Sequence, residues 1–255
     1  MADSNIHGEA AQGIWDQVRR HGHVCGYTKT PLNMTDPKDP FYFVFDHMIP
    51  GDNRKIVLTF ALLNEMKSDM TPREFRYYIL QLDKCFKTGE KIIKIKLSRW
   101  YRVTPPLPPA PQFKSSKVQG KKCCICGQPV YAPAASYCYR CHEFAYAMDN
   151  RRINNAAANK IWKHIRLRGF VCEYTQTPLN LTDYKDPFYY EFDHTIPGDK
   201  AKVALTFSLL NEMKSEMTLS EFKYYVGQFA GFFKTGARIK KRKLSRWYRL
   251  SSRAL

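Results

Sequence analysis

The stretch "FYFVFDHMIPGDNRKIVLTFALLNEMKS", residues 41–68, decides the fold. Its first five residues are aromatic or β-branched and read as a strand that closes on an adjacent Asp46–His47 pair. Ile49-Pro50-Gly51-Asp52 is turn chemistry. "KIVLTF" is again strand-like, and it passes straight into a good helix former through Leu63 and Met66. The order is therefore strand, loop, strand, helix. The whole stretch returns as "FYYEFDHTIPGDKAKVALTFSLLNEMKS" at residues 188–215.

The match is wider than this stretch. Ile6–Arg102 aligns without a gap to Ile153–Arg249 at a constant offset of 147 residues, and roughly three positions in five are identical, which marks a duplicated domain. A constant offset implies equal loop lengths and one backbone for both copies. Upstream in each, "IWDQVRRHG" and "IWKHIRLRG" have helical spacing and stop at Gly22 and Gly169. Downstream, "TPREFRYYILQLDKCF" predicts a second helix with Thr71 as N-cap and Pro72 at its first position. Between the copies, "TPPLPPAPQFKSSKVQG" is too rich in proline for helix or central strand and reads as an extended linker. The expected architecture is α+β, with repeat units at residues 1–103 and 151–255, the linker at 104–120 and a cysteine-rich module at 121–150. A helical stretch around Ala145–Leu167 leads into the second copy.

With 255 residues, 44% of them hydrophobic and 14% aromatic, the chain has enough apolar material for real cores and is not disordered. Its net charge of +18 favours a polyanionic partner, nucleic acid before an acidic membrane surface. There is no run of 18 apolar residues and no basic-then-apolar N-terminus of a secretory signal, so the expectation is an intracellular protein without a membrane partner.

Several separated elements, in order, resemble the HNH endonuclease domain, the ββα-metal fold also found in homing endonucleases. They are Tyr-Thr-x-x-Pro-Leu, Asp-His-x-Ile-Pro, Leu-Thr, Asn-x-x-Lys and Met-Thr, spanning Cys25–Phe75 and Cys172–Phe222. Phosphodiester hydrolysis needs a base for the attacking water and a cation against charge on the phosphate. The resemblance implies His47 and His194 as general bases, with Mg²⁺ or Mn²⁺ held by Asp46 and Asn64 and by Asp193 and Asn211. Lys67 and Lys214, one helical turn past the asparagines, are candidate phosphate contacts. Adjacent residues of a regular strand face opposite ways, so a shared Asp-His site requires the strand to end or distort at Ile-Pro-Gly. The family's central asparagine, which braces the histidine-bearing loop, has no clean equivalent: Asn53 is matched by Lys200.

The implied function is a metal-dependent, sequence-specific, homing-like DNA endonuclease. One chain with internal pseudo-two-fold symmetry would act as a monomer and cut each strand of double-stranded DNA once. The alternative is a non-catalytic nucleic-acid-binding or architectural protein on the same scaffold.

Cys123 and Cys126, then Cys138 and Cys141, form two Cys-x-x-Cys pairs with Gly127 after the first, the pattern of a closed structural zinc site. Cys124 and His142 are expected to be bystanders. Cys25 and Cys172 lack partner cysteines and read as small buried hydrophobes. Each copy ends in a cationic tail. Lys94, Lys96 and Arg99 in the first, and Lys240, Lys241, Arg242, Lys243 and Arg246 in the second, are candidates to track phosphates. Arg140, Arg151 and Arg152 beside the cysteine module join them.

Overall fold

The computed structural model describes residues 8–98, 121–125, 127, 128, 130, 136–199 and 201–245. The proline-rich linker and Arg99, Trp100, Cys126, Lys200, Arg246 and Trp247 lie outside the described residues.

Helix α1 (Gly8–His21) stops where Gly22 takes a φ of +74°, a left-handed conformation that suits glycine. Strands β1 (Phe43–His47) and β2 (Ile56–Phe60) pair antiparallel from Phe43↔Phe60 to His47↔Ile56. Helix α2 (Ala61–Lys67) follows β2 without a break. Helix α3 (Pro72–Thr88) opens on the expected cap: the Thr71 side chain accepts from the Glu74 amide, and the Glu74 carboxylate accepts from the Thr71 amide at 2.7 Å. The module supplies α4 (Tyr139–Asn150). The second repeat then runs through α5 (Asn155–Arg168), β3 (Tyr190–His194), β4 (Val203–Phe207), α6 (Ser208–Lys214) and α7 (Leu219–Thr235), with the same box at Thr218 and Glu221. The chain is thus α+β with two repeated β-hairpin–helix units.

The single helical stretch expected over 145–167 is two helices. Arg152 takes a φ of 52°, and the Asn154 side chain caps α5 by accepting from the Ala157 amide at 2.9 Å. Among the described residues no helix is long and apolar enough to cross a membrane.

The compact units do not coincide with the two repeats. One combines the first repeat with the chain from Glu212 onward, and the other runs from Val103 to Asn211. Within the first unit, α7 of the second repeat packs along α3 and onto the first hairpin. Phe229 stacks on Phe60 of β2 at 6.2 Å and meets Phe75 edge-on at 5.5 Å; Phe222 meets Phe86 and Tyr225 lies against Phe41. Each such ring contributes a few kcal/mol by burial, at about 25 cal/mol per Å².

Two buried carboxylates hold the rim. Buried Asp83 accepts from Lys234 at 2.8 Å and Lys87 at 2.7 Å, and buried Asp39 accepts from Lys241. Burial raises both carboxyls, but these ammonium groups, joined at Asp39 by the Phe41 amide and the Asn33 side chain, outweigh it and hold them below the usual carboxylate range. A lowered folded pKa stabilises above the unfolded value of about 3.9, and that stability is lost as pH falls through the folded value. Thermal unfolding from pH 6 downward should therefore show the melting temperature dropping below about pH 4. The Asp83→Asn variant should start lower and show a flatter acid slope.

The two copies also differ at one close contact. A Cβ on Gly26 would lie 2.1 Å from a Val57 methyl. In the second repeat Glu173 occupies that place and the valine has become Ala204; the Glu173 carboxylate accepts from the Leu205 amide at 2.9 Å and pairs with Lys160 at 3.0 Å. Gly26→Ala should cost about 1–3 kcal/mol in urea unfolding, and Val57→Ala in the same chain should recover most of it.

Candidate active site and metal centre

β1 stays regular through its last residue, since His47 still pairs with Ile56. The distortion expected at Ile-Pro-Gly comes only after the strand, so Asp46 and His47 face opposite sides. Asp46 points inward and is buried. Its Oδ1 lies 3.1 Å from the Lys67 ammonium and its Oδ2 accepts from the Tyr27 hydroxyl at 2.6 Å. Burial pushes the Asp46 carboxyl up, more than Lys67, Tyr27 and His47 bring it down. The Tyr27 hydroxyl is pushed well above its ordinary value by burial and then by the neighbouring carboxylate.

Lys67 is therefore no surface cation. It is 1% exposed and donates to the carbonyls of His47 at 3.3 Å, Ser68 at 3.2 Å and Met70 at 2.7 Å. The reading of Lys67 as a phosphate contact is corrected on this ground, because its ammonium is spent inside the protein. A divalent cation on Asp46 would press against that ammonium, so Asp46 and Asn64 fit Mg²⁺ or Mn²⁺ only if Lys67 gives way. Asn64 itself is half-buried on α2.

His47 is half-buried on the other face, with Nε2 3.0 Å from Asn53 Oδ1. An amide oxygen only accepts, so Nε2 carries the proton and Nδ1 is left as the basic nitrogen. Asn53 thus holds the imidazole ring of His47.

The second repeat keeps the inner set. Asp193 is buried and accepts from Tyr174 at 2.6 Å; Lys214 is fully buried, which removes it too as a phosphate contact. His194 is exposed at the strand end and Asn211 half-buried. Cys25 and Cys172 are buried beside Thr59 and Thr206, as their reading as core predicts, and burial raises the Cys172 thiol.

The cysteine module gathers its ligands. The sulfurs of Cys123, Cys138 and Cys141 all lie within 4.8 Å of one another, near the roughly 3.8 Å that tetrahedral Zn–S bonds of about 2.3 Å require. Gly127, at φ +73°, turns the first knuckle and donates to the Cys123 carbonyl at 3.0 Å, while the Ile125 amide points at the Cys123 sulfur at 3.4 Å. Cys138 is the N-cap of α4 and Cys141 lies in its first turn, where the helix dipole favours thiolate. This donor set fits zinc. Cys126 falls outside the described residues, and Cys124 is exposed.

The cationic tails are straps laid along the helices. The Tyr78 hydroxyl donates to the Ile95 carbonyl at 3.4 Å and accepts from its amide at 3.3 Å; Tyr225 does the same for Arg242 at 3.0 and 3.1 Å. Gln228 holds the Lys240 amide, and the capping residues Glu74 and Glu221 hold those of Ser98 and Ser245. Lys94, Lys96, Lys240 and Lys243 project into solvent. Lys241 is engaged by Asp39, and Arg242 lies over the Tyr224 ring at 5.4 Å. Arg140 and Arg152 are exposed, whereas Arg151 forks onto Glu191 and covers Phe192.

The sequence reading missed the inner triad of Tyr27, Asp46 and Lys67. Its signal was present: all three recur at the same spacing in the second repeat. Lys67→Met should cost about 3–5 kcal/mol, because it leaves a buried carboxylate without its counter-charge. Urea unfolding of Lys67→Met and of Lys67→Met with Asp46→Leu measures this, and the double variant should recover much of the loss. No family model matches the sequence, and neither a curated protein nor a solved structure matches it.

Proposed function

We propose that the chain is a DNA endonuclease of the HNH type, sequence-specific and homing-like, in which each repeat cuts one strand of the duplex. The observation that carries this reading is an Asp-His pair at the end of the first strand of a hairpin that runs straight into an asparagine-bearing helix, present twice. Two antiparallel strands need two oppositely oriented sites, and a duplicated chain supplies both.

In the first site His47 is the base. With Nε2 committed to Asn53, Nδ1 takes the proton of the attacking water. The straps bring lysines to the phosphates on either side. Mg²⁺ or Mn²⁺ held by Asp46 and Asn64 would supply stabilisation of the charge that builds on the phosphate, and Lys67 would have to leave its place beside Asp46 to admit it.

That closed ion pair is also the observation that favours the second reading, a nucleic-acid-binding protein that does not cut. Supercoiled plasmid or a genomic library incubated with Mg²⁺ or Mn²⁺, with and without EDTA, separates the two. The endonuclease linearises DNA in the presence of metal. His47→Ala and His194→Ala should each leave a nickase, for opposite strands, and the double variant should bind without cutting. Loss of both nicks in either single variant, or unchanged cutting in both, would show the assignment of the histidines to be wrong.

A further inference from the structure

Trp15 and Trp162 are the same residue at the same place in the two repeats, as are Phe45 and Phe192. Their surroundings differ: Trp15 is 62% exposed and Phe45 39%, against 8% and 6% for their counterparts. The cause is α4. Its buried Phe144 lies 5.3 Å from Trp162, 5.3 Å from Phe170, 5.2 Å from Phe192 and 5.0 Å from Tyr190, ring centre to ring centre. Tyr137, just before the helix, stacks on Trp162 at 6.1 Å.

The three gathered cysteines belong to the same continuous core as Trp162, Phe192, Val203 and Leu205. The module's own described share of that core is small, with Ile125, Val130, Phe144 and Met148 besides the cysteines. So short a segment does not hold a fold by apolar burial alone, and a metal would supply most of its folding free energy.

We propose that the cysteine cluster is a zinc site that governs the second hairpin selectively. Zinc ties the Cys123 knuckle to the first turn of α4, which seats Phe144 on the aromatic face of β3. Without zinc that face loses its cover. The first hairpin already stands with Trp15 and Phe45 in solvent, so zinc loss leaves it unchanged. Taken with the endonuclease reading, on which only this consequence rests, zinc removal turns a double-strand cutter into a nickase that keeps the His47 site.

The test uses the full chain in three states: as purified with zinc, stripped by a thiol-competing chelator, and stripped then returned to zinc. Metal analysis should find about one zinc per chain, lost when Cys123, Cys138 or Cys141 is replaced. Amide exchange followed by mass spectrometry should rise about tenfold or more in β3 and β4 on stripping, with β1 and β2 changing less than about twofold, and zinc should reverse it. Cys141→Ser should reproduce the stripped pattern. Phe144→Ala should keep its zinc yet loosen the same strands, which separates the cover from the metal. Equal loosening of both hairpins, unchanged exchange in β3 and β4, or a chain that retains no zinc would each overturn the proposal. Strand-resolved plasmid nicking in Mn²⁺ reads the consequence. If no form cuts DNA, the endonuclease reading fails while the exchange pattern still decides the role of zinc.

Discussion

A hairpin of two five-residue strands has two faces and too little area to be stable by itself. Among the described residues the helices and the cysteine module cover such hairpins. In the first unit α1 packs against β2, α2 continues from it, and the aromatic face of α7 closes over Phe41 and Phe60. In the second unit α5 packs against β4, and the cysteine module covers the aromatic face of β3. Because α7 comes from the second repeat, the first hairpin is completed by sequence about 170 residues away, a loop closure whose entropic cost grows only slowly with length.

The same constraint sets the electrostatics. A net charge of +18 suggests a surface of free cations, yet many of the lysines are used inside the fold. Lys67 and Lys214 are buried, Lys234 and Lys87 neutralise Asp83, and Lys241 neutralises Asp39. Asp39 and Asp83 are themselves buried, so their pairs act as fixed points where α7 and its strap meet the first repeat. Among the described residues the straps present exposed Lys94, Lys96, Lys240 and Lys243, while helix side chains grip the strap backbone. This division makes the second strap the more basic. It carries Lys240 and Arg242 where the first has Ile93 and Ile95.

Much of this was legible in the sequence. Thr71 and Pro72 mark the start of α3, and Gly22 and Gly169 mark the stops of the first helices, because caps and left-handed turns are local chemistry. The cysteine spacing announced its cluster for the same reason. The internal role of Lys67 was hidden, since nothing local distinguishes a lysine that reaches a buried aspartate from one that reaches solvent. The regularity of β1 through His47 was misjudged because Ile-Pro-Gly signals a turn without saying on which residue it begins. Which copy of the second long helix covers the first hairpin is beyond any local signal, as both copies carry the same aromatic frame.

The differences between the repeats follow from their covers. Where the first copy has His23, exposed, the second has Phe170, which packs against the module core. Val18 becomes Ile165, now buried beneath the same module. Val44, buried in the first hairpin, becomes Glu191, whose carboxylate receives the Arg151 guanidinium that follows α4. These changes are larger or charged side chains placed where the module arrives. By contrast, Tyr27, Asp46, His47, Asn64 and Lys67 all recur unchanged. The second copy has therefore been fitted to the module at Ile165, Phe170 and Glu191, while the buried residues around Asp46 recur unchanged. The buried pair of Asp46 and Lys67 is itself reason to keep that set, since losing either partner leaves an uncompensated charge in the core.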